Sequence, residues 1–558
     1  MLVYGEVETQ RDAGEMRATL LEQLTEIRTM PPGRCRHEAL VTALVAAGQL
    51  VGGLLDNAFS ARGEDSPDQP GMAALTELAR AVDRSWRGEP VPAPGFAFER
   101  LDAKGVVRFK PAEGYAFYAI YPETYAEAAR RSGLPPDTRV IGIRSIGTSL
   151  APMVSAALGA APPVTVRPTG HPFNRELRLS RDCADVLLAG DPPAYAIVDE
   201  GPGLSGSSFS AVADWLAVHG VERGRIHRFP SHPGEPGAMA GPERLAHWHA
   251  SPSHQVPFEA ILPRLTQWVT ELTGPLLAPL ADLSGGKWRA YVSPMAAEAP
   301  VAGSWERRRY LATTEGGRFL IRFAGLGDDG WRKLDLARKL HAGGFAPEPI
   351  GLTHGLLVMR WLDAPGLPDA PPPRETLVEQ LAAYLACRAT IPAQAGASLS
   401  TLANMARFNT AEALGDDAAA LLETHLGNPS RLEPLVHRVE TDNRLHRWEW
   451  LVADGRLLKT DALDHAHTHD FIGPQDIAWD VAGAIVEHDL SEAEAAALQA
   501  RMAARTGRPV VPELLGFLLP CYLAFQLGAW TMSNGAEAPV ASRYAERLAT
   551  LLRTSPAP

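Results

Sequence analysis

A pair of acids, a glycine-rich turn and a run of hydroxyls stand together in VDEGPGLSGSSF, residues 198–209. The residues before the acids predict a strand, and those after the turn predict a helix. Backbone N–H groups and the positive end of the helix dipole then favour an anion in one cavity. Asp199 and Glu200 would repel a bare phosphate, but they suit sugar hydroxyls or a Mg²⁺ ion. The segment therefore predicts a sugar phosphate site, with the phosphate held by Ser205, Gly206, Ser207 and Ser208.

A second loop of similar design lies upstream, in VIGIRSIGTSLAPMVSAAL at residues 140–158. It again predicts a strand, a tight polar loop and a helix. Its polar residues are Arg144, Ser145, Gly147 and Thr148. The segment between the two loops, residues 167–182, is basic and contains Arg175 and Arg178. Short apolar strands alternate with helices from about 96 to 249, which predicts a parallel sheet.

These segments resemble the type I phosphoribosyltransferase family, whose fingerprint is a strand, two acids, a short turn and Thr/Ser-Gly-x-Thr/Ser. The resemblance implies that Asp199 and Glu200 hold the ribose hydroxyls at the catalytic centre and that residues 205–208 hold the 5′-phosphate. It also implies that the upstream loop binds pyrophosphate, that the basic segment is a mobile lid, and that phosphoribosyl pyrophosphate with Mg²⁺ is the co-substrate. Either the turn is one residue longer here or the acids are shifted by one, so their individual roles stay open.

Three acids in ETDNRLHRWEWLVADGRLLKTDALDH, residues 440–465, form a second candidate site. Asp442, Glu449 and Asp461 fall on adjoining predicted loops, where their oxygens would suit Mg²⁺. The alternative is that Asp461 only caps a turn. Histidines at alternate positions of residues 464–470 could bind a transition metal or could belong to an active-site loop.

From about residue 304 the order of elements resembles the aminoglycoside phosphotransferase and protein kinase superfamily. That order is strand, strand, helix, strand, strand and then a mostly helical part. The resemblance implies catalytic roles for Asp442 and Asp461, a metal site at Glu449 and Asp461, and ATP binding by Arg322. Arg322 stands where the family carries lysine, and no glycine-rich loop of the usual spacing precedes it.

Composition limits the possible classes of protein. The chain has 558 residues, is 46% hydrophobic and 21% charged, and has a net charge of -12. These values predict two or three globular domains and argue against general nucleic-acid binding. Four widely spaced cysteines and an acidic N-terminus predict a cytoplasmic protein without disulfides. The uncharged stretch Leu514–Met532 could pass for a membrane span, but we expect a buried helix and no membrane partner.

The sequence thus predicts an α/β protein that acts on small-molecule substrates. Its expected function is a bifunctional phosphoribosyltransferase-like and small-molecule kinase-like enzyme in the synthesis or modification of a nucleoside-like metabolite. A non-catalytic sensor of nucleotide or phosphoribosyl pyrophosphate is the alternative, and a hydrolase of ribosyl bonds is a third possibility. The acceptor and the oligomeric state stay open. The expected domains are a helical region (1–95), a phosphoribosyltransferase-like domain (96–255), a helical connector (256–284), a kinase-like N-lobe (285–365) and a helical C-lobe (366–558).

Overall fold

The computed structural model describes residues 1–5, 8–67, 69–91, 96–303, 306–393, 396–468 and 470–554. Most of the first part of the chain is helical, as the spacing of its apolar residues predicts. The expected hinge at residues 87–96 lies partly outside the described residues. The elements are β1 (Thr9–Asp12), α1 (Ala13–Thr29), α2 (Arg34–Arg62), α3 (Gln69–Arg87), α4 (Phe96–Glu99), β2 (Val106–Phe109), α5 (Glu113–Ala116) and α6 (Pro122–Ser132).

The predicted parallel sheet is confirmed, and its four strands run in the order β4-β3-β7-β8. Helix α7 packs on one face of the sheet, and the apolar side chains of α8 and α9 cover the other face. The elements are β3 (Arg139–Ile143), α7 (Gly147–Leu158), β4 (Val164–Val166), β5 (Thr169–His171), β6 (Asn174–Glu176), α8 (Arg181–Leu188), β7 (Tyr195–Val198), α9 (Ser207–Val218), β8 (Ile226–Phe229), α10 (Pro242–Ala250) and α11 (Leu262–Thr273).

A five-stranded antiparallel sheet follows, in the order β12-β13-β11-β10-β9. The predicted order of strand, strand, helix, strand, strand is confirmed, with the first hairpin turning at Glu315 and Gly316. The elements are β9 (Ala281–Asp282), α12 (Pro294–Ala297), β10 (Arg309–Thr314), β11 (Gly317–Phe323), α13 (Asp328–Ala342), β12 (Pro349–Thr353) and β13 (Leu356–Arg360).

The rest of the chain is mainly helical and includes the predicted hairpin of β15 and β16, which turns at Asp454 and Gly455 with positive φ at both. The elements are α14 (Arg374–Ala389), α15 (Leu399–Leu414), α16 (Asp416–Leu426), α17 (Pro429–Leu432), β14 (Arg438–Val439), β15 (Trp450–Ala453), β16 (Arg456–Lys459), β17 (Gln475–Asp476), α18 (Ala478–Glu487), α19 (Glu492–Thr506), α20 (Pro512–Asn534) and α21 (Pro539–Leu552).

Two helices, α2 and α20, are long and apolar enough to cross a membrane by length and composition. In each of them most of the apolar window is buried inside the protein, 61% for α2 and 78% for α20. Helix α20 packs against α15, α18 and α21, so its uncharged stretch forms part of the core of the last third of the chain.

One hydrophobic core joins the N-terminal helices to both sheets. It contains residues of α1–α3, one face of the parallel sheet, and β10, β11 and β13 of the antiparallel sheet. A buried group at its centre links the same parts, because Nε2 of His37 and Nε2 of His354 lie 2.7 and 2.8 Å from the same oxygen of Glu123. The two sheets are therefore held together by packed side chains as well as by the connecting chain.

Candidate functional site

The carboxyl ends of β3 and β7 meet at the point where the order of the parallel strands reverses. Strand β4 lies on one side of β3, whereas β7 and β8 lie on the other. In open α/β sheets the crevice at such a reversal is the usual place for a ligand. The loops after β3 and β7 are the two that the sequence singled out, so both border one crevice, which we call the front crevice (residues 144–148 and 199–208).

Glycines bring the two loops into contact. A Cβ added to Gly147 would lie 2.7 Å from the carbonyl oxygen of Val198, the residue just before the acid pair. A Cβ on Gly142 would lie 2.5 Å from the carbonyl oxygen of Gly147. Both distances are below any ordinary contact, so only glycine allows the start of α7 to pack this closely on the ends of β3 and β7.

Asp199 and Glu200 are partly buried in the front crevice without a neutralising partner. Neither carboxylate forms an ion pair in the part of the chain that the structure describes. Burial raises the pKa of Asp199 to about 7. Burial, together with the charges of Asp199 and Glu113, raises the pKa of Glu200 to about 8. Near neutral pH the pair therefore retains protons, which a bound cation would displace.

Backbone contacts fix the position of the acid pair. Oδ1 of Asp199 accepts from the N–H of Glu200 at 2.8 Å, and Oε2 of Glu200 accepts from the N–H of Gly114 at 3.2 Å. The hydroxyl of Tyr125 donates to the carbonyl oxygen of Asp199 at 2.8 Å. The acids are thus held by α5, α6 and their own loop, and their remaining oxygens are left for a ligand.

The predicted phosphate loop is covered by the hairpin of β5 and β6. The hydroxyl of Ser207 donates to the carbonyl oxygen of Pro172, at the hairpin tip, at 2.7 Å, and that of Ser205 does so at 3.4 Å. Gly206 precedes α9 in the left-handed conformation, and Ser208 is half-buried in the first turn. The basic segment that the resemblance assigned to a lid therefore rests on residues 205–207, with two of the four predicted phosphate ligands bonded to it.

Arg144 and Arg175, two of the arginines predicted to bind phosphate, lie in different surroundings. The guanidinium of Arg144 is buried, and it pairs with Asp65 and, at 2.8 Å, with Asp56. Arg175 donates to the carbonyl oxygen of Pro168 at 3.1 Å, and its charge, like that of Arg167, offsets part of the rise that burial causes in the pKa of Asp199. Arg175 therefore lies near the acids, whereas Arg144 is an internal partner of acids from the helical region.

The remaining predicted phosphate ligands differ in exposure. Arg178 and Ser145 are exposed. Thr148 is fully buried at the start of α7, and its hydroxyl has no hydrogen-bond partner within the described ranges.

A cavity of about 500 Å³ lies between the antiparallel sheet and the loops near residues 444–470, and we call it the rear cleft. Arg322 lines it and is buried. Its guanidinium bonds to Asp461 at 3.0 Å and to Asp464. Arg309 adds a bond to Asp461 at 2.8 Å, and Nζ of Lys333 lies 2.7 Å from Asp464. These cations hold the pKa of both aspartates well below the usual range despite burial.

Asp442 is fully buried beneath the rear cleft and is absent from its lining. Its carboxylate accepts from the hydroxyl of Tyr384 and, at 3.2 Å, from Nζ of Lys459, and it lies 3.2 Å from Nδ1 of His465. The same Nζ donates to Glu449 at 2.7 Å. Lys459 thus neutralises two of the three acids that the sequence assigned to catalysis and metal binding.

The alternate histidines do not converge on one point. Nδ1 of His465 faces Asp442, whereas Nε2 of His467 contacts Glu440 at 2.7 Å. His469 lies outside the described residues. The two described histidines therefore serve different acids, which does not favour a shared transition-metal site.

One short segment touches both sites. Gly114 bonds to Glu200 in the front crevice, as described above, and the ring of Phe117 lies under the guanidinium of Arg307 at 4.8 Å from the Cζ atom. Arg307 lines the rear cleft and is only 4% exposed. Residues 113–118 therefore contact an acid of the front crevice at one end and a cation of the rear cleft at the other.

Comparison with known proteins gives a fold likeness for about half of the chain. No family model matches, and no curated protein matches. Choline kinase LicA from Streptococcus pneumoniae is 14% identical, with 52% of this chain and 98% of that chain covered and a TM-score of 0.35. Spectinomycin phosphotransferase APH(9)-Ia, in complex with ADP and spectinomycin, is 12% identical at the same coverage, with a TM-score of 0.36. A choline/ethanolamine kinase family protein from Mesorhizobium loti is 13% identical over 52% of this chain and 95% of that chain, with a TM-score of 0.31.

About half of the chain is thus similar to kinase-like proteins. The phosphoribosyltransferase resemblance of residues 96–255 stays a prediction.

Sequence reasoning missed the side chains that form ion pairs with the predicted ligand-binding residues. Asp56 and Asp65 lie about 80 to 90 residues before Arg144, and no local pattern connects them. Arg307 and Lys333 were also missed, although the run Arg307-Arg308-Arg309 is visible in the sequence. Tertiary contacts alone show which charges are already neutralised.

Proposed function

We propose that the protein is a small-molecule transferase with two ligand sites. The front crevice binds phosphoribosyl pyrophosphate, and the rear cleft binds a nucleotide such as ATP. The observation that carries the proposal is the pair of acids at the strand reversal of the parallel sheet, which form no ion pair with any described residue. A sugar phosphate supplies what this crevice lacks, because its hydroxyls donate to the acids while the start of α9 favours its phosphate.

In the front crevice the donor set suits Mg²⁺. Asp199 and Glu200 offer hard oxygen atoms, and no described cation competes for them. Ionising both acids together is unfavourable as long as they are alone, and a divalent ion would remove that cost. When bound, the ion would supply charge neutralisation for the pyrophosphate leaving group. The residues of the chain would orient the ribose and exclude water, with the hairpin of β5 and β6 as the cover.

In the rear cleft the donor set does not suit Mg²⁺. Asp461 and Glu449, the predicted metal ligands, are both held by cations, and Asp464 beside them is held by two. A divalent ion would have to displace buried arginine and lysine side chains and would leave them without partners. We therefore assign no step in this cleft to a metal.

Calorimetric titration of phosphoribosyl pyrophosphate, with and without Mg²⁺, tests the front crevice. We expect saturable binding that Asp199→Asn/Glu200→Gln weakens at least tenfold, since each acid accepts hydrogen bonds of about 1.5–3 kcal/mol. Asp137→Asn, an exposed change in the same domain, is the matched control. Equal binding by the double variant and the control would remove the assignment. Release of pyrophosphate with a panel of bases then tests transfer.

A regulatory sensor without turnover is the second candidate, and the burial of Asp442 favours it. A carboxylate with no exposed surface, bonded to Tyr384 and Lys459, is not placed to take a proton from a substrate in the cleft. Binding of both ligands without consumption of either would support the sensor. Steady turnover of either ligand would support the transferase.

A further inference from the structure

Four cationic side chains surround two carboxylates beside the rear cleft. Glu306, which also lines the cleft, accepts hydrogen bonds from Gly286 and Trp288, whereas Asp470 pairs with Arg444 and Glu449 pairs with Lys459. The four cations are Arg307, Arg309, Arg322 and Lys333, and the two carboxylates are Asp461 and Asp464.

Arg307 is the member of this group without a bonded acid. It is 4% exposed, and neither Nε nor Nη1 has a hydrogen-bond partner in the ranges that the structure describes. Its guanidinium faces the ring of Phe117 on one side and lines the cleft on the other. A buried cation without a partner is costly, so its presence in the wall of a cavity points to a ligand that pairs with it.

The lining of the cavity agrees with a ligand that carries both planar apolar and anionic groups. Trp288, Trp448 and Trp530 line the cavity together with the arginines. Arginine binds phosphate oxygens with two parallel N–H donors, and flat aromatic side chains suit a base or another planar group.

We propose that the rear cleft binds the phosphate groups of its ligand through arginine side chains and without a divalent metal. The ligand class is a di- or triphosphate or a similar polyanion, and its anionic end pairs with Arg307 and competes with Asp461 for Arg309 and Arg322. The identity of the ligand as a nucleotide rests on the proposed function. The binding of a polyphosphate by the arginines does not.

Titration of ADP and of inorganic pyrophosphate in EDTA and in Mg²⁺ tests the proposal in the full chain. We expect the dissociation constant of ADP in EDTA to stay within about threefold of its value in Mg²⁺. Binding that requires Mg²⁺ would overturn the metal-free assignment. If pyrophosphate binds in EDTA and ADP does not, the arginine site stands and the nucleotide function fails. If neither ligand binds, both fail. Because the front crevice could also bind pyrophosphate, the titrations are repeated with the variant Asp199→Asn/Glu200→Gln. Binding that this variant loses is assigned to the front crevice and not to the rear cleft.

Two variants separate the arginine site from a metal site. Arg307→Leu is expected to weaken ADP binding about ten- to hundredfold while it raises the melting temperature of the free protein, because it removes an unpaired buried charge. Arg338→Leu, on the exposed face of α13, is the matched control and should bind as the unmodified chain does. Unchanged ADP binding by Arg307→Leu would overturn the proposal.

For Asp461→Asn, an arginine site and a metal site predict opposite changes in ligand affinity. Loss of this carboxylate frees Arg309 and Arg322 for the ligand, so binding in EDTA should tighten by a few fold. A metal site would lose its ligand, and binding in Mg²⁺ would weaken. Weaker binding of Asp461→Asn in EDTA, with its melting temperature unchanged, would also count against the arginine site.

Discussion

Neutralising Asp199 and Glu200 should stabilise the free protein at alkaline pH while it removes ligand binding. Both acids have a raised pKa in the folded protein, about 7 for Asp199 and about 8 for Glu200. From about pH 4 to pH 8 the folded chain therefore holds protons that the unfolded chain has lost. The free energy of unfolding falls as pH rises through this range, and the full cost of the charges is present above about pH 8.

The size of the effect follows from the two pKa values. For Asp199 the rise from 3.8 to about 7 corresponds to about 4 kcal/mol, at 1.4 kcal/mol per pKa unit. This is an upper limit, because both side chains keep some contact with solvent and part of the rise in Glu200 comes from Asp199 itself. For Asp199→Asn/Glu200→Gln we expect a gain of about 2–4 kcal/mol at pH 8.5 and little change at pH 4.5.

Urea denaturation followed by tryptophan fluorescence, at several values between pH 4.5 and 8.5, measures this gain. The exposed variant Asp137→Asn should follow the unmodified chain at every pH. A double variant that is less stable than the unmodified chain at pH 8.5 would refute the reasoning. So would a difference in stability that does not depend on pH, since the gain would then not come from ionisation.

Two further changes test the structure around the front crevice. Arg144→Leu should lower the free energy of unfolding by about 3–5 kcal/mol, because it leaves the buried carboxylate of Asp65 without its cation. Urea denaturation measures this loss, and the double variant Arg144→Leu/Asp65→Leu should recover part of it. Equal stability of the single and the double variant would contradict the pairing. Gly142→Ala should lower the free energy of unfolding by at least about 2 kcal/mol, since its Cβ would lie 2.5 Å from the carbonyl oxygen of Gly147. The same change should weaken binding of phosphoribosyl pyrophosphate, because it displaces the loop after β3. Normal stability together with normal binding would contradict the close approach.

Much of the fold could be predicted from local patterns. The apolar runs around Ile141, Ile197 and Ile226 gave buried parallel strands, since a strand covered on both faces is apolar throughout. The Asp454-Gly455 pair gave the hairpin of β15 and β16, because both positions need positive φ. These features depend on neighbouring residues only, which a single sequence displays.

The state of the site residues could not be predicted in the same way. Asp199 and Asp461 look alike in sequence, since each follows a strand and begins a polar loop. Among the described residues Asp199 forms no ion pair and burial raises its pKa, whereas Asp461 pairs with two arginines that lower its pKa. The difference arises from residues more than 100 positions away from Asp461, which no spacing rule connects to it.

The two sites are opposite in their charge balance, and this opposition decides what each can hold. Among the described residues, the two acids of the front crevice form no ion pair, so the crevice favours hydroxyl donors and a metal ion beside the ligand. In the same part of the chain Arg307 of the rear cleft has no bonded acid, whereas Asp461 and Asp464 are paired with arginines, so the cleft favours the anionic part of a ligand directly. Residues 113–118 contact Glu200 at one end and Arg307 at the other, so a ligand that neutralises either group changes the charge at that end of the segment. Measuring binding at each site with the other site occupied tests whether the segment couples the two sites.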